Sequence, residues 1–433
     1  MTGQRRIEVV ADWAELGGAT CLGHLTATPA RGKEVFAFEY DKSWLAAGPR
    51  QQLDPSLALY SGPQYPAKSR ENFGMFLDSA PDRWGRVLMR RREAQLARAE
   101  GREERRLFES DYLLGVHDGH RMGALRFRMD GRFLDDNDEL ASPPWTSLRE
   151  LEHASLQLER DGVEDDPEYG HWLRMLIAPG GSLGGARPKA SVRDEHGRLW
   201  IAKFPSRLDE EDIGAWEQVV HDLAGRAGVV VPPADVRRFG ARKSGSHGHH
   251  TFLSQRFDRT QQGTRLHFAS AMTLLDRTDG SGANDGVSYL ELADLLMRLG
   301  SNPQADLEQL WRRIVFFICV SNTDDHLRNH GFMLNPTGWS LAPAYDMNPD
   351  PHGAGLKLNI SGSDNAQDLH LALDVASVFR VKDQRAREVV DAVCDVIREW
   401  RRVATDRGLT RAAQDRMRRA FRVADAWNTG APH

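Results

Sequence analysis

Cysteine is scarce in this chain, and so are features that would place it in a membrane or outside the cell. The 433 residues include three cysteines, Cys21, Cys319 and Cys394, and no Cys-x-x-Cys pair. A disulfide framework and a structural zinc knuckle are therefore not expected. The longest apolar run, residues 314–320, is far shorter than the about 20 residues that span a bilayer. No apolar segment follows the basic start of the chain, so we expect no secretory signal and a cytoplasmic protein.

The sequence also lacks an excess of charge of either sign. Lys and Arg number 57 and Asp and Glu number 62, which leaves a formal net charge of −5 at pH 7. Bulk binding of polyanions is therefore disfavoured. What is present, 40% hydrophobic and 27% charged residues, is the composition of an ordinary globular protein. The length predicts two or three domains.

The first 130 residues carry both strand and helix patterns. A polar stretch at 129–144 follows them and is the best candidate for a domain boundary. Together these patterns predict a mixed α/β module over residues 1–130. The predicted strands are 7–11, 21–26, 34–40 and 123–129, and the predicted helices are 71–98 and 103–115.

The rest of the chain divides at about residue 262. Residues 145–262 are predicted to form a β-containing region with a glycine-rich segment, and residues 263–433 a mainly helical region. The first of these regions has helices at 146–160, 167–177 and 210–227, a hairpin that turns at 195–197, and two more strands around the loop before His250. Short strands are expected near 330–342 and 356–360 in the second.

The strongest chemical signal follows the apolar helix that ends near Val320. Asp324 stands five residues before Asn329, the separation of the catalytic carboxylate and the metal-binding amide in kinase loops. A later acid, Asp346, could bind the metal ion that bridges nucleotide phosphates. The plain alternative is a polar helix cap, because Asp and Asn are common at helix starts. By itself, the motif does not distinguish a kinase loop from a helix cap.

Four weaker signals precede this motif in the order that a kinase requires. Glycines surround Ser182, and glycine lets backbone N–H groups approach phosphates, although neither Gly-x-x-x-x-Gly-Lys nor Gly-x-Gly-x-x-Gly is present. Lys203 on a strand could pair with Glu217 on the next helix, and Gln255 with Phe257 could line an adenine site. Each residue has an ordinary structural explanation, but their order favours phosphoryl transfer.

Taken together these motifs resemble the HipA family of serine/threonine kinases, toxins of bacterial type II toxin–antitoxin modules. The resemblance covers essentially the whole chain, and it implies an α+β, two-lobed protein kinase-like fold with a β-containing N-terminal lobe and a mainly helical C-terminal lobe. The matching segments are FLDSAPDRWGR (76–86), SLGGARPKA (182–190), WIAKFP (200–205), AWEQ (215–218), QRFDR (255–259), TDDHLRN (323–329) and APAYDMNP (342–349).

The resemblance assigns a role to each site residue. It implies that Asp324 is the catalytic base, that His326 supports it or contacts phosphate, and that Asn329 and Asp346 bind Mg²⁺. Lys203 would contact ATP phosphates and pair with Glu217, and Gln255 and Phe257 would line the adenine site. Ser182 would be autophosphorylated, which would oppose nucleotide binding by its added charge. The phosphates would be cradled by residues 183–188, which include Leu183, Gly184, Gly185, Ala186 and Arg187.

The same resemblance implies partners and also shows departures. The expected partners are a small helix-turn-helix antitoxin of HipB type, DNA only through that antitoxin, and a protein substrate, for which an aminoacyl-tRNA synthetase is a candidate; no membrane is involved. Asp325 replaces the usual glycine and adds a second acid beside Asp324. Gln255 replaces a frequent glutamate, and Arg187-Pro188 replaces Gln-Glu, where Pro188 has no N–H for a phosphate.

Two other classes of function fit parts of the sequence. A metal-dependent hydrolase could use His326 and His330, spaced i, i+4 beside Asp325, with the imidazoles of 247–250, although His-Glu-x-x-His is absent. A non-catalytic partner of a DNA-bound antitoxin could use the basic C-terminal helices, in which acids are also interspersed. The arginines of those helices are Arg398, Arg401, Arg402, Arg411, Arg416, Arg418, Arg419 and Arg422.

Overall fold

The chain folds into two compact units. The computed structural model describes residues 3–47, 51–134, 143–177, 185, 187–239 and 248–428. Unit 1 comprises Met1–Leu208 and Leu253–Ala269, and unit 2 comprises Asp209–Phe252 and Ser270–His433. The three-region division at 130 and 262 is a different partition and stays a prediction.

Unit 1 begins with a five-stranded antiparallel sheet. Its strands are β1 (Arg5–Ala11), β2 (Thr20–Ala30), β3 (Lys33–Tyr40), β4 (Leu125–Met129) and β5 (Arg132–Phe133), in the spatial order β3-β2-β1-β4-β5. Four helices follow β3 in the chain: α1 (Lys42–Ala47), α2 (Gly74–Asp78), α3 (Arg83–Glu100) and α4 (Glu109–Leu114). The four predicted strands are confirmed. They form because alternating apolar residues bury one face of each strand.

 The predicted helix over 103–115 is wrong in its first half. Gly101 takes the left-handed conformation, with φ 64°, and closes α3 there. The Glu93 carboxylate then accepts hydrogen bonds from the Arg102 side chain and the Arg105 backbone N–H. These contacts hold the connection in a non-helical path until α4 begins at Glu109.

The remainder of unit 1 carries two helices and a hairpin. The helices α5 (Leu148–Leu158) and α6 (Tyr169–Ile177) confirm the predicted pair, and they precede β6 (Lys189–Arg193) and β7 (Leu199–Lys203). β6 and β7 pair antiparallel around a turn at Gly197, where φ is 76°, which favours glycine. The chain returns to unit 1 within β9 (Thr251–Gln255), which lies beside β7, and leaves it within β10 (Phe268–Ser270).

Unit 2 is mainly helical. Its core surrounds the helix α10 (Pro303–Val320), whose residues from Ile314 to Val320 are all buried. The predicted strand at 356–360 is wrong, because Asn359 forms one isolated bridge with Ser288 and no ladder extends from it. The elements of unit 2 are α7 (Ile213–Arg226), β8 (Ala234–Arg237), α8 (Ala271–Leu274), α9 (Tyr289–Leu299), α10 (Pro303–Val320), β11 (Gly331–Asn335), β12 (Gly338–Leu341), α11 (Leu369–Asp374), α12 (Asp383–Arg398), α13 (Trp400–Asp406), α14 (Arg411–Met417) and α15 (Arg422–Ala426).

Candidate functional site

The loop that carries Asp324 begins where the buried helix α10 ends. Ser321 closes the helix in the left-handed conformation, with φ 53°. The loop then runs to a 3-10 turn at Leu327–Asn329 and enters β11. A buried helix on one side and a buried strand on the other fix both ends of this loop, which we call the catalytic loop (321–330) after the role that the sequence predicts for it.

The two neighbouring aspartates of the catalytic loop have different surroundings. Asp324 is exposed, whereas Asp325 is only 1% exposed. The Asp325 carboxylate accepts a hydrogen bond from the Tyr289 hydroxyl at 2.7 Å and lies 2.7 Å from His330 Nε2. Asp325 is therefore occupied inside the core, and Asp324 is the carboxylate that a substrate could reach.

Buried charges explain why Asp325 is tolerated in the core. Burial lowers the pKa of Arg313 to about 10, and the nearby Asp325 carboxylate opposes that shift. Burial, together with the same carboxylate, raises the pKa of Tyr289 well above its usual value, so the hydroxyl stays protonated and donates. The second acid that the sequence places beside Asp324 thus has a structural role.

Replacing Asp325 with asparagine is expected to lower the free energy of unfolding by about 1–3 kcal/mol, because a neutral amide removes the buried negative charge that interacts with Arg313 and strengthens the contacts of Oδ2 with Tyr289 and His330. Urea unfolding of the two proteins measures the difference. Exposed Asp374 provides the control, since its change to asparagine should leave stability within about 0.5 kcal/mol of wild type. Equal stability of the Asp325 and Asp374 variants would contradict the structural role.

Asn329 is held with its amide oxygen available. Its Nδ2 donates to the backbone oxygen of Asp324 at 3.1 Å, which leaves Oδ1 as the acceptor. His326 lies between these two residues, and its Nδ1 is buried with no hydrogen-bond partner among the described residues. The local fold therefore brings Asp324, His326 and Asn329 together on one short loop.

Asp346 lies in the segment after β12, and its backbone is unusual. Its φ is 57°, in the left-handed region that non-glycine residues seldom adopt. Such strain in a folded protein tends to occur at functional positions. Carboxylate and amide oxygens are ligands that suit Mg²⁺, so the chemistry of Asp346 and Asn329 fits that ion.

The predicted nucleotide residues are divided between the units. In unit 1, half-buried Lys203 ends β7, Gln255 ends β9, and the Phe257 ring lies 6.2 Å from that of Phe268. Glu217 is buried in α7 of unit 2. The pairing of Lys203 with Glu217, and the adenine roles of Gln255 and Phe257, remain predictions.

Most of the predicted phosphate loop lies outside the described residues. Ser182, Leu183, Gly184 and Ala186 are in that group. Gly185 is described and has φ 83°, and a Cβ there would stand 3.1 Å from Lys189 Nζ. Arg187 Nε donates to the backbone oxygen of Phe204 at 2.9 Å.

One ion pair beside this loop was not found from the sequence. Lys189 Nζ lies 3.1 Å from Asp82 Oδ2, and both side chains are almost fully buried. Asp82 also caps α3 through the Gly85 N–H, and Trp84 Nε1 donates to the Lys189 backbone oxygen. Both residues stand in recognised motifs, but the contact joins positions more than a hundred residues apart, and no local pattern signals it.

A second unpredicted cluster lies inside the QRFDR segment. Asp258 is fully buried between Arg256 and Arg259, each with a nitrogen 2.6 Å from Asp258 Oδ2. The same oxygen accepts from the Gly123 N–H at 2.8 Å. The cluster joins the segment after β9 to the segment before β4, so these charges hold unit 1 together.

The two alternative functions find little support in the described structure. Within the part of the chain that the structure describes, no group of three or more His, Cys, Asp or Glu side chains is arranged to hold a metal ion. His247 of the 247–250 segment lies outside that part. Most of the C-terminal arginines pair with carboxylates, which reduces their attraction to a polyanion: Arg398, Arg401, Arg402, Arg411 and Arg416.

Family comparisons match most of the chain. The sequence model of the HipA N-terminal domain matches residues 16–132, and that of the HipA-like C-terminal domain matches residues 181–401. A Haemophilus influenzae protein named "Putative kinase" is 29% identical over 181 residues. That match covers 39% of this chain and 52% of the relative, about half its length.

A solved structure matches nearly the whole chain. It is the complex of HipA, HipB and operator DNA from the Shewanella oneidensis MR-1 toxin–antitoxin system. The match covers 97% of both chains, with a TM-score of 0.65 and 16% identity. It confirms the predicted α+β kinase-like fold. Among the described residues, no helix is both long and apolar enough to cross a bilayer.

Proposed function

The chain belongs to the HipA family, and from that premise we propose that it is a protein kinase that transfers the γ-phosphoryl group of ATP to a serine or threonine hydroxyl. The proposal depends mainly on one observation, the different surroundings of the polar residues in the catalytic loop. Asp324 is exposed, Asp325 is engaged in the core, and Asn329 is oriented by the Asp324 backbone. This is the arrangement that phosphoryl transfer needs from a base and an amide ligand.

Each residue of the site has a defined task in this proposal. Asp324 orients the attacking hydroxyl and accepts its proton, and His326 supports the loop between Asp324 and Asn329. Asn329 and Asp346 would hold Mg²⁺, which when bound offsets negative charge on the nucleotide phosphates. Lys203, paired with Glu217, would contribute positive charge at the phosphates.

The nucleotide would be held by unit 1 residues. Gln255 and Phe257 are the proposed adenine contacts, and residues 183–188 the proposed phosphate loop. Ser182, which lies outside the described residues, is the proposed site of autophosphorylation. A phosphate there would repel ATP by its added negative charge. These assignments rest on the family membership and on the order of the motifs.

Partners are proposed on the same basis. The matched Shewanella protein is in complex with HipB and operator DNA. We propose a small HipB-like helix-turn-helix antitoxin for this chain, with DNA approached through it, because the net charge of −5 gives no general attraction to DNA. The substrate would be a protein, and an aminoacyl-tRNA synthetase is the first candidate to test.

Intact mass spectrometry after incubation with ATP and Mg²⁺ tests the activity directly. We expect one added phosphate on the wild-type chain, and none on the Ser182→Ala variant or in the presence of EDTA. Transfer to a separately added protein substrate should persist in Ser182→Ala. If the wild-type chain neither labels itself nor consumes ATP with any candidate substrate, the kinase proposal fails.

A further inference from the structure

The segment that carries Asp346 is attached to the base of the catalytic loop by three hydrogen bonds. Asn348 N–H donates to Asn322 Oδ1 at 3.1 Å, Asp350 N–H donates to the Ser321 backbone oxygen at 3.0 Å, and the Thr323 hydroxyl donates to Asp350 Oδ2 at 2.8 Å. We call these five residues the loop clamp.

One bond of the loop clamp, between Asn322 and Asn348, lies two residues along the chain from each of Asp324 and Asp346. Asn322 precedes Asp324 by two residues, and Asn348 follows Asp346 by two residues. Two extended residues reach at most about 7 Å, so a contact between Asn322 and Asn348 restricts how far the two carboxylates can separate. The clamp therefore governs the spacing between a base and a metal ligand.

The central residue of the loop clamp, Asn322, is buried against the end of α10. Asn322 is 1% exposed, and its own N–H donates to the Phe317 backbone oxygen within the end of α10. The Asn322 backbone is thus fixed to the end of the buried helix α10. Asn322 Oδ1 accepts the Asn348 N–H, whereas the buried Nδ2 has no hydrogen-bond partner among the described residues. Burial of an unpaired amide donor is costly, so the bond to Asn348 is the contact that accounts for an asparagine here.

Resting on the proposed kinase function, we propose that Asn322 and Thr323 are positioning residues that fix Asp346 relative to Asp324. They touch neither nucleotide nor substrate in this role. Errors of about 1 Å in such placement can lower a rate about 100-fold. Loss of either contact should therefore reduce kcat, while the KM for ATP changes much less.

Variants of Thr323 provide the sharpest test. Thr323→Val keeps the side-chain shape and removes the hydroxyl, and Thr323→Ser restores it. We expect kcat of Thr323→Val to fall about 10- to 100-fold with KM for ATP within about 3-fold, and Thr323→Ser to recover most of the loss. Asn322→Leu should behave like Thr323→Val.

A double-mutant cycle separates positioning from general damage. If Thr323 acts through Asp350, the pair Thr323→Val and Asp350→Ala should lose no more activity than the worse single variant. Unchanged kcat in Thr323→Val, or equal losses in Thr323→Val and Thr323→Ser, would overturn the inference. An inactive wild-type chain would instead refute the kinase function itself, so the two failures are distinguishable.

Discussion

Changing Asp324 to asparagine is expected to slow phosphoryl transfer by about 10²- to 10⁴-fold without changing the melting temperature. The reason is that asparagine keeps the shape of the side chain but cannot accept the proton of the attacking hydroxyl. Because Asp324 is exposed and its carboxylate has no hydrogen bond or ion pair with the residues that the structure describes, the fold should not respond. Initial rates with ATP and Mg²⁺, together with thermal unfolding, measure both effects.

The control for this prediction is the neighbouring acid. Asp325→Asn should lose stability, because its carboxylate bonds Tyr289 and lies against His330. The two variants should therefore differ: Asp324→Asn should lose activity at unchanged stability, and Asp325→Asn should lose stability. A larger loss of transfer rate in Asp325→Asn than in Asp324→Asn, measured well below both melting temperatures, would show that the base has been assigned to the wrong residue.

Replacing Asp258 with alanine is expected to lower the free energy of unfolding by about 3–5 kcal/mol, because it leaves the buried Arg256 and Arg259 without their shared carboxylate. Chemical denaturation in urea measures the loss. Exposed Asp161, in the same unit, is the matched control, and its change to alanine should alter stability by no more than about 0.5 kcal/mol. A loss below about 1 kcal/mol in Asp258→Ala would contradict the cluster's role.

The same cluster predicts a dependence of stability on pH. Burial alone would raise the pKa of Asp258, but Arg256 and Arg259 outweigh it and hold that pKa well below its ordinary value. A carboxyl with a depressed pKa stabilises the fold above its unfolded pKa of about 3.9, and this contribution is lost as pH falls further. The unfolding free energy of wild type should therefore decrease below about pH 5, and by less in Asp258→Ala.

Local patterns predicted the elements that depend on nearby residues. The β6–β7 hairpin follows from a glycine turn between alternating apolar residues, and Gly197 takes the positive φ that such a turn requires. The catalytic loop could be located because Asp324 and Asn329 are five residues apart. The helix predicted over 103–115 failed because the Gly101 stop and the capture of Arg102 by Glu93 are side-chain and backbone details that the helical pattern does not contain.

Long-range contacts could not be predicted in the same way. The Lys189–Asp82 pair and the bond from Gly123 to Asp258 join residues that are distant in sequence, so only the folded chain shows them. The neighbouring acids of the catalytic loop illustrate the same limit. The sequence shows both acids side by side, but the contacts that bury Asp325 come from Tyr289, in α9, and from His330, at the end of the loop.

A crystal structure with Mg²⁺ and a non-hydrolysable ATP analogue tests the central claim most directly. We expect the metal ion to bind Asn329 Oδ1 and the Asp346 carboxylate. We also expect Asp324 to face the terminal phosphate and Asp325 not to bind the metal ion. A nucleotide bound away from the catalytic loop, or a metal ion held by neither Asn329 nor Asp346, would contradict it.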